Sequence, residues 1–136
     1  MEALLKRLKA HEGVSLEVYP DRDGYAIGYG HQCAPDHPPI SLHEAEEYLR
    51  QDVYKASEQY MKWKAAHKLK LSRVRDEVIV EMIFWHGYWG FLKFQRMIEA
   101  LIQGDYEKAA DEMMNSDSGQ RYPARMYELS VLMREG

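Results

Sequence analysis

Cysteine is nearly absent from this chain of 136 residues, because Cys33 is the only one. A single cysteine forms no disulfide within the chain and supports no cysteine-based metal site. Long apolar runs are also missing: no stretch approaches the roughly 20 apolar residues of a membrane-spanning helix. The segment 1–13 is too charged, and its apolar run too short, to be a signal peptide. We therefore expect a protein made and folded in a cytoplasm, without a signal peptide and without stable membrane insertion.

A block of basic residues is missing as well. The chain carries 18 Lys and Arg against 22 Asp and Glu, a formal net charge of −4, and no basic cluster stands out. Nucleic-acid binding therefore has no electrostatic support. Apolar residues make up 46% of the sequence, which excludes a disordered chain. The length suits a single compact domain over residues 1–136.

Periodicity predicts a small β-containing part near the start. Leucines at helical spacing predict a first helix from about residue 2 to Glu12, with Gly13 as its C-cap. An apolar–polar alternation follows and predicts a strand. The turn-forming segment "PDRDG" (20–24) and a returning strand "YAIGYGH" (25–31) complete a hairpin. An isolated hairpin is only marginally stable, so it must pack on helices.

Helical patterns dominate the remainder of the chain. Ser41 and Glu44 form a capping box, followed by a helix of more than five turns. Ser72 and Asp105 are expected to cap two later helices, and Pro123 to open the last one. The segment "HGYWG" (86–90) is expected to break a helix, and "SDSGQRY" (116–122) to be a loop. The sequence thus predicts an α+β fold, mostly helical, with a small hairpin or sheet near the N-terminus.

Three carboxylates draw attention by their positions. Glu12 lies in the last helical turn, where the helix dipole favours the protonated form that a general acid requires. Asp21 and Asp23 lie in the hairpin turn. Each has an ordinary interpretation, since helix ends often carry solvated glutamate and aspartate is a common turn residue. Both interpretations stay open at this point.

Two glycines, Gly28 and Gly30, alternate in the returning strand and leave one strand face without side chains. Such a face allows close approach of a ligand, or tight packing against a helix. The residues themselves do not decide between these alternatives.

Several segments together resemble one family. Glu12, eight residues, Asp21 and "IGYGH" (27–31) are similar to the catalytic signature of phage-type lysozymes. This endolysin family is glycoside hydrolase family 24, to which the T-even bacteriophage enzyme belongs. "SLHEAEEYLRQDV" (41–53) resembles its interlobe helix and "YPARMYEL" (122–129) its final helix. The resemblance covers nearly the whole chain, in order.

The resemblance implies a two-lobed, lysozyme-like fold. A β-containing lobe would span about 13–60, and a helical lobe about 61–136 together with the first helix. The implied activity is that of a muramidase, which hydrolyses the β-1,4 bond between N-acetylmuramic acid and N-acetylglucosamine in peptidoglycan. Glu12 would be the general acid, and Asp21 would activate the attacking water.

Further roles follow from the resemblance. Arg125 matches the arginine that pairs with the catalytic glutamate. Gly30, Gln32 and Phe84 occupy positions of the substrate cleft. Ala26 stands where the family has a threonine whose hydroxyl helps to hold the attacking water. Its absence implies reduced turnover.

Other functions stay open beside the muramidase. A lytic transglycosylase on the same fold needs one glutamate and no water, and a catalytically weak module would bind glycan or a protein. We expect a monomer with no cofactor and no metal, and a structural role for His31. The protein would wait in the host bacterial cytoplasm before lysis and then act on the periplasmic cell wall, which it would reach through a membrane pore.

Overall fold

The computed structural model describes residues 1–22 and 24–136. Asp23, one of the hairpin aspartates, lies outside the described residues. The helices and strands follow in the order α1 (Glu2–Glu12), β1 (Ser15–Asp21), β2 (Gly24–Gly28), β3 (His31–Cys33), α2 (Leu42–Ala66), α3 (Arg73–Leu92), α4 (Gln95–Ile102), α5 (Tyr106–Asn115), α6 (Asp117–Arg121) and α7 (Pro123–Glu135). The α+β architecture with a small sheet is confirmed.

The chain divides into two compact units, Met1–Lys55 and Ala56–Gly136. The first contains α1, the sheet and residues 42–55 of α2, and the second contains all later helices. The first helix thus belongs to the unit that holds the sheet, whereas the family resemblance groups it with the helical lobe. Folding of the whole chain as one domain stays a prediction.

The first helix has the predicted bounds. It buries its leucines at helical spacing and ends at Gly13, which adopts a positive φ of 66°. The Gly13 N–H donates to the Lys9 carbonyl and so satisfies one of the last helical acceptors. This end fixes the place of Glu12, the last helical residue.

The sheet has three antiparallel strands in the order β1-β2-β3. The hairpin of β1 and β2 was predicted, but the returning strand ends at Gly28 and not at His31, which begins the unpredicted third strand, His31–Cys33. Its three residues are too few to show an alternation. The pairing of β1 with β2 shifts register between Ser15 and Tyr19 and is regular from Tyr19 to Asp21.

The predicted capping box opens α2. The Ser41 hydroxyl accepts from the Glu44 N–H, and the Glu44 carboxylate accepts from the Ser41 N–H, both at 3.1 Å. These reciprocal bonds satisfy two donors at the start of a helix of 25 residues. The prediction of a helix of more than five turns is confirmed.

The second unit begins its helices as the sequence predicts. The Ser72 hydroxyl accepts from the Arg75 N–H at 3.2 Å, and the Asp105 carboxylate accepts from the Lys108 N–H at 3.0 Å. Pro123 is the first residue of α7. The expected break in "HGYWG" is a kink at Gly87, with φ 75° and ψ 162°, after which helical residues continue to Leu92.

The prediction of a loop over residues 116–122 was wrong. Asp117–Arg121 form α6, because the Ser116 hydroxyl accepts from the Gly119 N–H at 3.0 Å and caps this short helix. Gly119 is required there: a Cβ atom would lie 2.4 Å from the Met113 carbonyl oxygen.

The core of the second unit is rich in methionine. Five of the eight methionines of the chain are at most 1% exposed, one or two on each of four helices: Met82, Met97, Met113, Met126 and Met133. The flexible thioether fills irregular gaps between helices. Among the described residues, no helix combines the length and apolar character that a membrane crossing requires.

Candidate active site

Glu12 lies against bare backbone at the turn between β2 and β3. Gly30, in this turn, has a positive φ of 84°. A Cβ atom at Gly30 would lie 3.0 Å from Glu12 Oε1, closer than side chains normally approach. Glycine therefore permits both the backbone conformation and the approach of the carboxylate. The structure brings these two predicted site residues together.

Gly28 has a different neighbour. A Cβ atom there would lie 3.3 Å from Ala45 Cβ on α2, and the φ of Gly28 is 68°. The expected bare strand face is therefore wrong, because β2 ends at Gly28 and Gly30 lies in the following turn. Gly28 permits packing of the strand against α2, and Gly30 permits the approach of the Glu12 carboxylate.

One face of the sheet carries the other predicted residues of the first unit. Ala26 on β2 is the register partner of Tyr19 on β1 and of Gln32 on β3. Directly opposed residues of antiparallel strands point to the same face, and so do residues two apart on one strand. Asp21, two residues after Tyr19, therefore shares this face. Asp21 and Gln32 are exposed, whereas Ala26 is fully buried.

The charges of both candidate catalytic carboxylates act on Tyr19. Burial raises the pKa of the Tyr19 phenol, and the charges of Asp21 and then Glu12 raise it further. Both carboxylates thus lie within electrostatic reach of one hydroxyl. Tyr19 was not predicted from the sequence. The strand period was the available signal, because Tyr19 precedes Asp21 by two residues.

His31 is held on α2. Its Nδ1 lies 2.9 Å from Asp52 Oδ2 and 3.1 Å from Oδ1, and its ring stacks on Tyr48 with 4.2 Å between ring centroids. Burial raises the pKa of the Asp52 carboxyl, and the hydrogen bond and charge of His31 oppose that rise. These contacts tie β3 to α2 within the first unit. Over residues 1–22 and 24–136, no three His, Cys, Asp or Glu side chains group as metal ligands.

Arg125 is held by α3 within the second unit. Its Nε donates to Oε2 of the fully buried Glu81 at 3.2 Å. Its guanidinium lies over the Trp85 ring, with 4.2 Å from Cζ to the ring centroid. Since Glu81 and Trp85 are four residues apart, they lie on one helix face. Glu81 was not predicted from the sequence, and the pairing of Arg125 with Glu12 stays a prediction.

The aromatic segment 84–91 contains both buried and exposed side chains. Phe84, a predicted cleft residue, is half-buried, and Phe91 is fully buried. Trp89 is 77% exposed and contacts the neighbouring Tyr88 ring edge-on. Part of this segment is therefore core, as expected of an apolar cluster, and part lies at the surface.

Comparison with known proteins decides the family. The model of the family described as "Phage lysozyme" matches residues 9–126. The chain belongs to the phage lysozyme family. The match includes Glu12, Asp21 and Arg125, and it confirms the resemblance on which their expected roles rest.

Individual relatives of this phage lysozyme family member are distant. An endolysin of Bacillus phage B103 is 30% identical over 128 residues, covering 89% of this chain and 47% of the relative. "Probable T4-type lysozyme 1" of Dictyostelium discoideum is 25% identical over 157 residues, covering 95% of this chain and 92% of the relative. The pre-baseplate central spike protein Gp5 of Enterobacteria phage T4 is 24% identical over 165 residues, covering 98% of this chain.

The lengths of these relatives differ. The chain spans about half of the endolysin and 28% of the spike protein, but nearly all of the Dictyostelium protein. The phage lysozyme region thus occurs in relatives of different total length.

Proposed function

We propose that this chain is a muramidase that hydrolyses the β-1,4 bond between N-acetylmuramic acid and N-acetylglucosamine in peptidoglycan. The observation that carries the proposal is the Glu12 carboxylate, which lies against the backbone of Gly30 in the unit that also contains Asp21. Membership of the phage lysozyme family supports the same reaction.

The proposed reaction uses the two carboxyl groups for opposite tasks. The protonated Glu12 carboxyl donates its proton to the glycosidic oxygen, and the bond from that oxygen to the anomeric carbon breaks. Asp21 accepts a proton from a water molecule, whose oxygen bonds to the anomeric carbon from the opposite face. Such an inverting reaction requires roughly 6.5–9.5 Å between the carboxyl groups to hold the water.

Several residues would support these two. Gly30 leaves room for the Glu12 carboxylate at the turn between β2 and β3. Arg125 would pair with Glu12, as the family resemblance implies. Gln32, exposed on the sheet face, and Phe84 would contact the glycan. No cofactor takes part.

The proposed setting is host lysis by a phage. The protein would act as a monomer, wait in the bacterial cytoplasm, and reach the periplasmic wall through a membrane pore. Its substrate partner would be peptidoglycan, and nucleic acid would not bind.

The deciding experiment is mass spectrometry of purified peptidoglycan after incubation with the protein. We expect new reducing ends. Products with 1,6-anhydro ends would instead identify a lytic transglycosylase, and unchanged glycan would identify a binding module. Glu12→Gln should abolish the products while the midpoint of thermal unfolding stays equal or rises slightly, because the charge at the helix end is removed. Glu17→Gln, at an exposed position on β1, is the matched control and should remain active.

A further inference from the structure

Position 26 lacks the hydroxyl that the family resemblance places there. Alanine supplies no hydrogen bond to a water, and the side chain of Ala26 is fully buried. If Asp21 activates a water, another group on the same face must help to orient it, since an attacking water has to be positioned as well as deprotonated.

The register of the sheet identifies the neighbouring hydroxyl. Tyr19 stands directly opposite Ala26 and two residues before Asp21, so the three side chains share one face. Tyr25 pairs instead with Pro20 on β1 and with Cys33 on β3, and therefore points to the other face. Of these two tyrosines of the hairpin, only Tyr19 shares the face of Asp21.

We propose that the Tyr19 hydroxyl holds the attacking water beside Asp21, in place of the threonine hydroxyl that the resemblance implies at position 26. This inference rests on the proposed hydrolysis. The hydroxyl accepts or donates one hydrogen bond to the water, while the Asp21 carboxylate takes the proton. The water oxygen then bonds to the anomeric carbon, and the proton from Glu12 leaves with the departing sugar.

Two further observations agree with this role. The charges of Asp21 and Glu12 both raise the pKa of the Tyr19 hydroxyl, as expected for a group beside the two carboxylates. The residue is also half-buried, so its ring is partly fixed by packing while one part stays accessible. A water bridging two polar groups that do not touch directly is a common arrangement in active sites.

The test compares Tyr19→Phe with Tyr25→Phe, two variants that each lose one phenolic oxygen. Initial rates on soluble glycan strands give kcat and KM, and thermal unfolding checks the fold. We expect Tyr19→Phe to lower kcat about two- to tenfold, as for the loss of one hydrogen bond to the water, with KM nearly unchanged. Tyr25→Phe should keep the wild-type kcat. A Tyr19→Phe variant with wild-type kcat, or an equal loss in both variants, would overturn the inference.

Restoring the hydroxyl at position 26 gives a second readout. Ala26→Thr should recover part of the lost kcat when combined with Tyr19→Phe. Since threonine enlarges a buried position, folding of both proteins is checked by circular dichroism. A folded double variant as slow as Tyr19→Phe would contradict the shared role.

Different results would refute the proposed hydrolysis and the proposed role of Tyr19. Wild-type protein that yields no reducing ends would refute the hydrolysis itself. Wild-type protein that yields reducing ends at the same rate as Tyr19→Phe would refute only the role of Tyr19.

Discussion

The guanidinium of Arg125 on α7 is fixed by Glu81 on α3, with 3.2 Å from Nε to Oε2. The Glu81 side chain has no exposed surface, and that of Arg125 is only 14% exposed. A carboxylate so far from water is stable only when it is paired and hydrogen-bonded. Trp85, one helical turn later, covers the guanidinium. Glu81 and Trp85 thus contact Arg125 from the same face of α3.

Removing Arg125 should destabilise the protein. Arg125→Met leaves a buried carboxylate without its guanidinium, and we expect a loss of about 3–5 kcal/mol of unfolding free energy. Combining Arg125→Met with Glu81→Gln removes both charges and should recover more than half of the loss. Urea unfolding of the four proteins in this cycle measures the coupling, and additive losses would contradict it.

Enlarging Gly30 should affect activity as well as stability. In Gly30→Ala, the positive φ costs about 1–2 kcal/mol, and the new Cβ atom displaces the Glu12 carboxylate. We expect a loss of peptidoglycan hydrolysis of at least about tenfold. Gly104→Ala is the matched control, since Gly104 has φ 75° and no atom within 4 Å of the added Cβ. Equal rates for the two variants would show that Glu12 tolerates the displacement.

The two hairpin aspartates should differ in importance. Asp21→Asn removes the proposed base and should reduce the release of reducing ends strongly, with less effect on any 1,6-anhydro products. Asp23→Asn should leave hydrolysis close to wild type. Both are measured on the same purified glycan. A larger effect of Asp23→Asn would move the role of the base by two residues and show that the family alignment of the hairpin is wrong.

His31 should control the ionisation of Asp52. His31→Phe keeps a ring that can stack on Tyr48 but removes the hydrogen-bond donor and the charge. The pKa of the Asp52 carboxyl, already raised by burial, should therefore rise further, as measured by NMR titration.

The stability lost in His31→Phe should depend on pH in one direction. A raised carboxyl pKa favours the folded state at low pH, and this contribution is lost as the pH rises through that pKa. The stability deficit of His31→Phe should thus grow as the pH rises from the ordinary pKa of an aspartate, about 4, through the raised pKa of Asp52, and reach about 1 kcal/mol. His43→Phe, at an exposed position on α2, is the control. An unchanged Asp52 titration would contradict the pairing.

The parts of the fold that depend on local chemistry were predictable. Gly13 ends α1 and the Ser41–Glu44 capping box opens α2 through bonds within four residues, which the sequence displays directly. Helix α6 was missed because five residues show no periodicity, although Ser116 caps it.

The missed site residues depend on contacts between distant segments. A glutamate on a helix ordinarily indicates a solvated surface, and only the packing of α3 with α7 buries Glu81 against Arg125. The role proposed for Tyr19 requires the register of β1 with β2, which shifts between Ser15 and Tyr19. A one-residue change of register turns a side chain to the other face, so the sequence could not decide this position.

Oxidation of the buried methionines would report on unfolding of the second unit. Peroxide converts an accessible thioether to the polar sulfoxide, and a thioether enclosed by packing reacts only when the surrounding structure opens. Met61, which is 58% exposed, would react first and give the reference rate for an accessible thioether. The five core methionines would stay reduced while the unit is folded. Each sulfoxide formed in the core would then hinder refolding, because a polar group would have to re-enter an apolar interior. Oxidation would thus turn transient opening into lasting loss of the helical core.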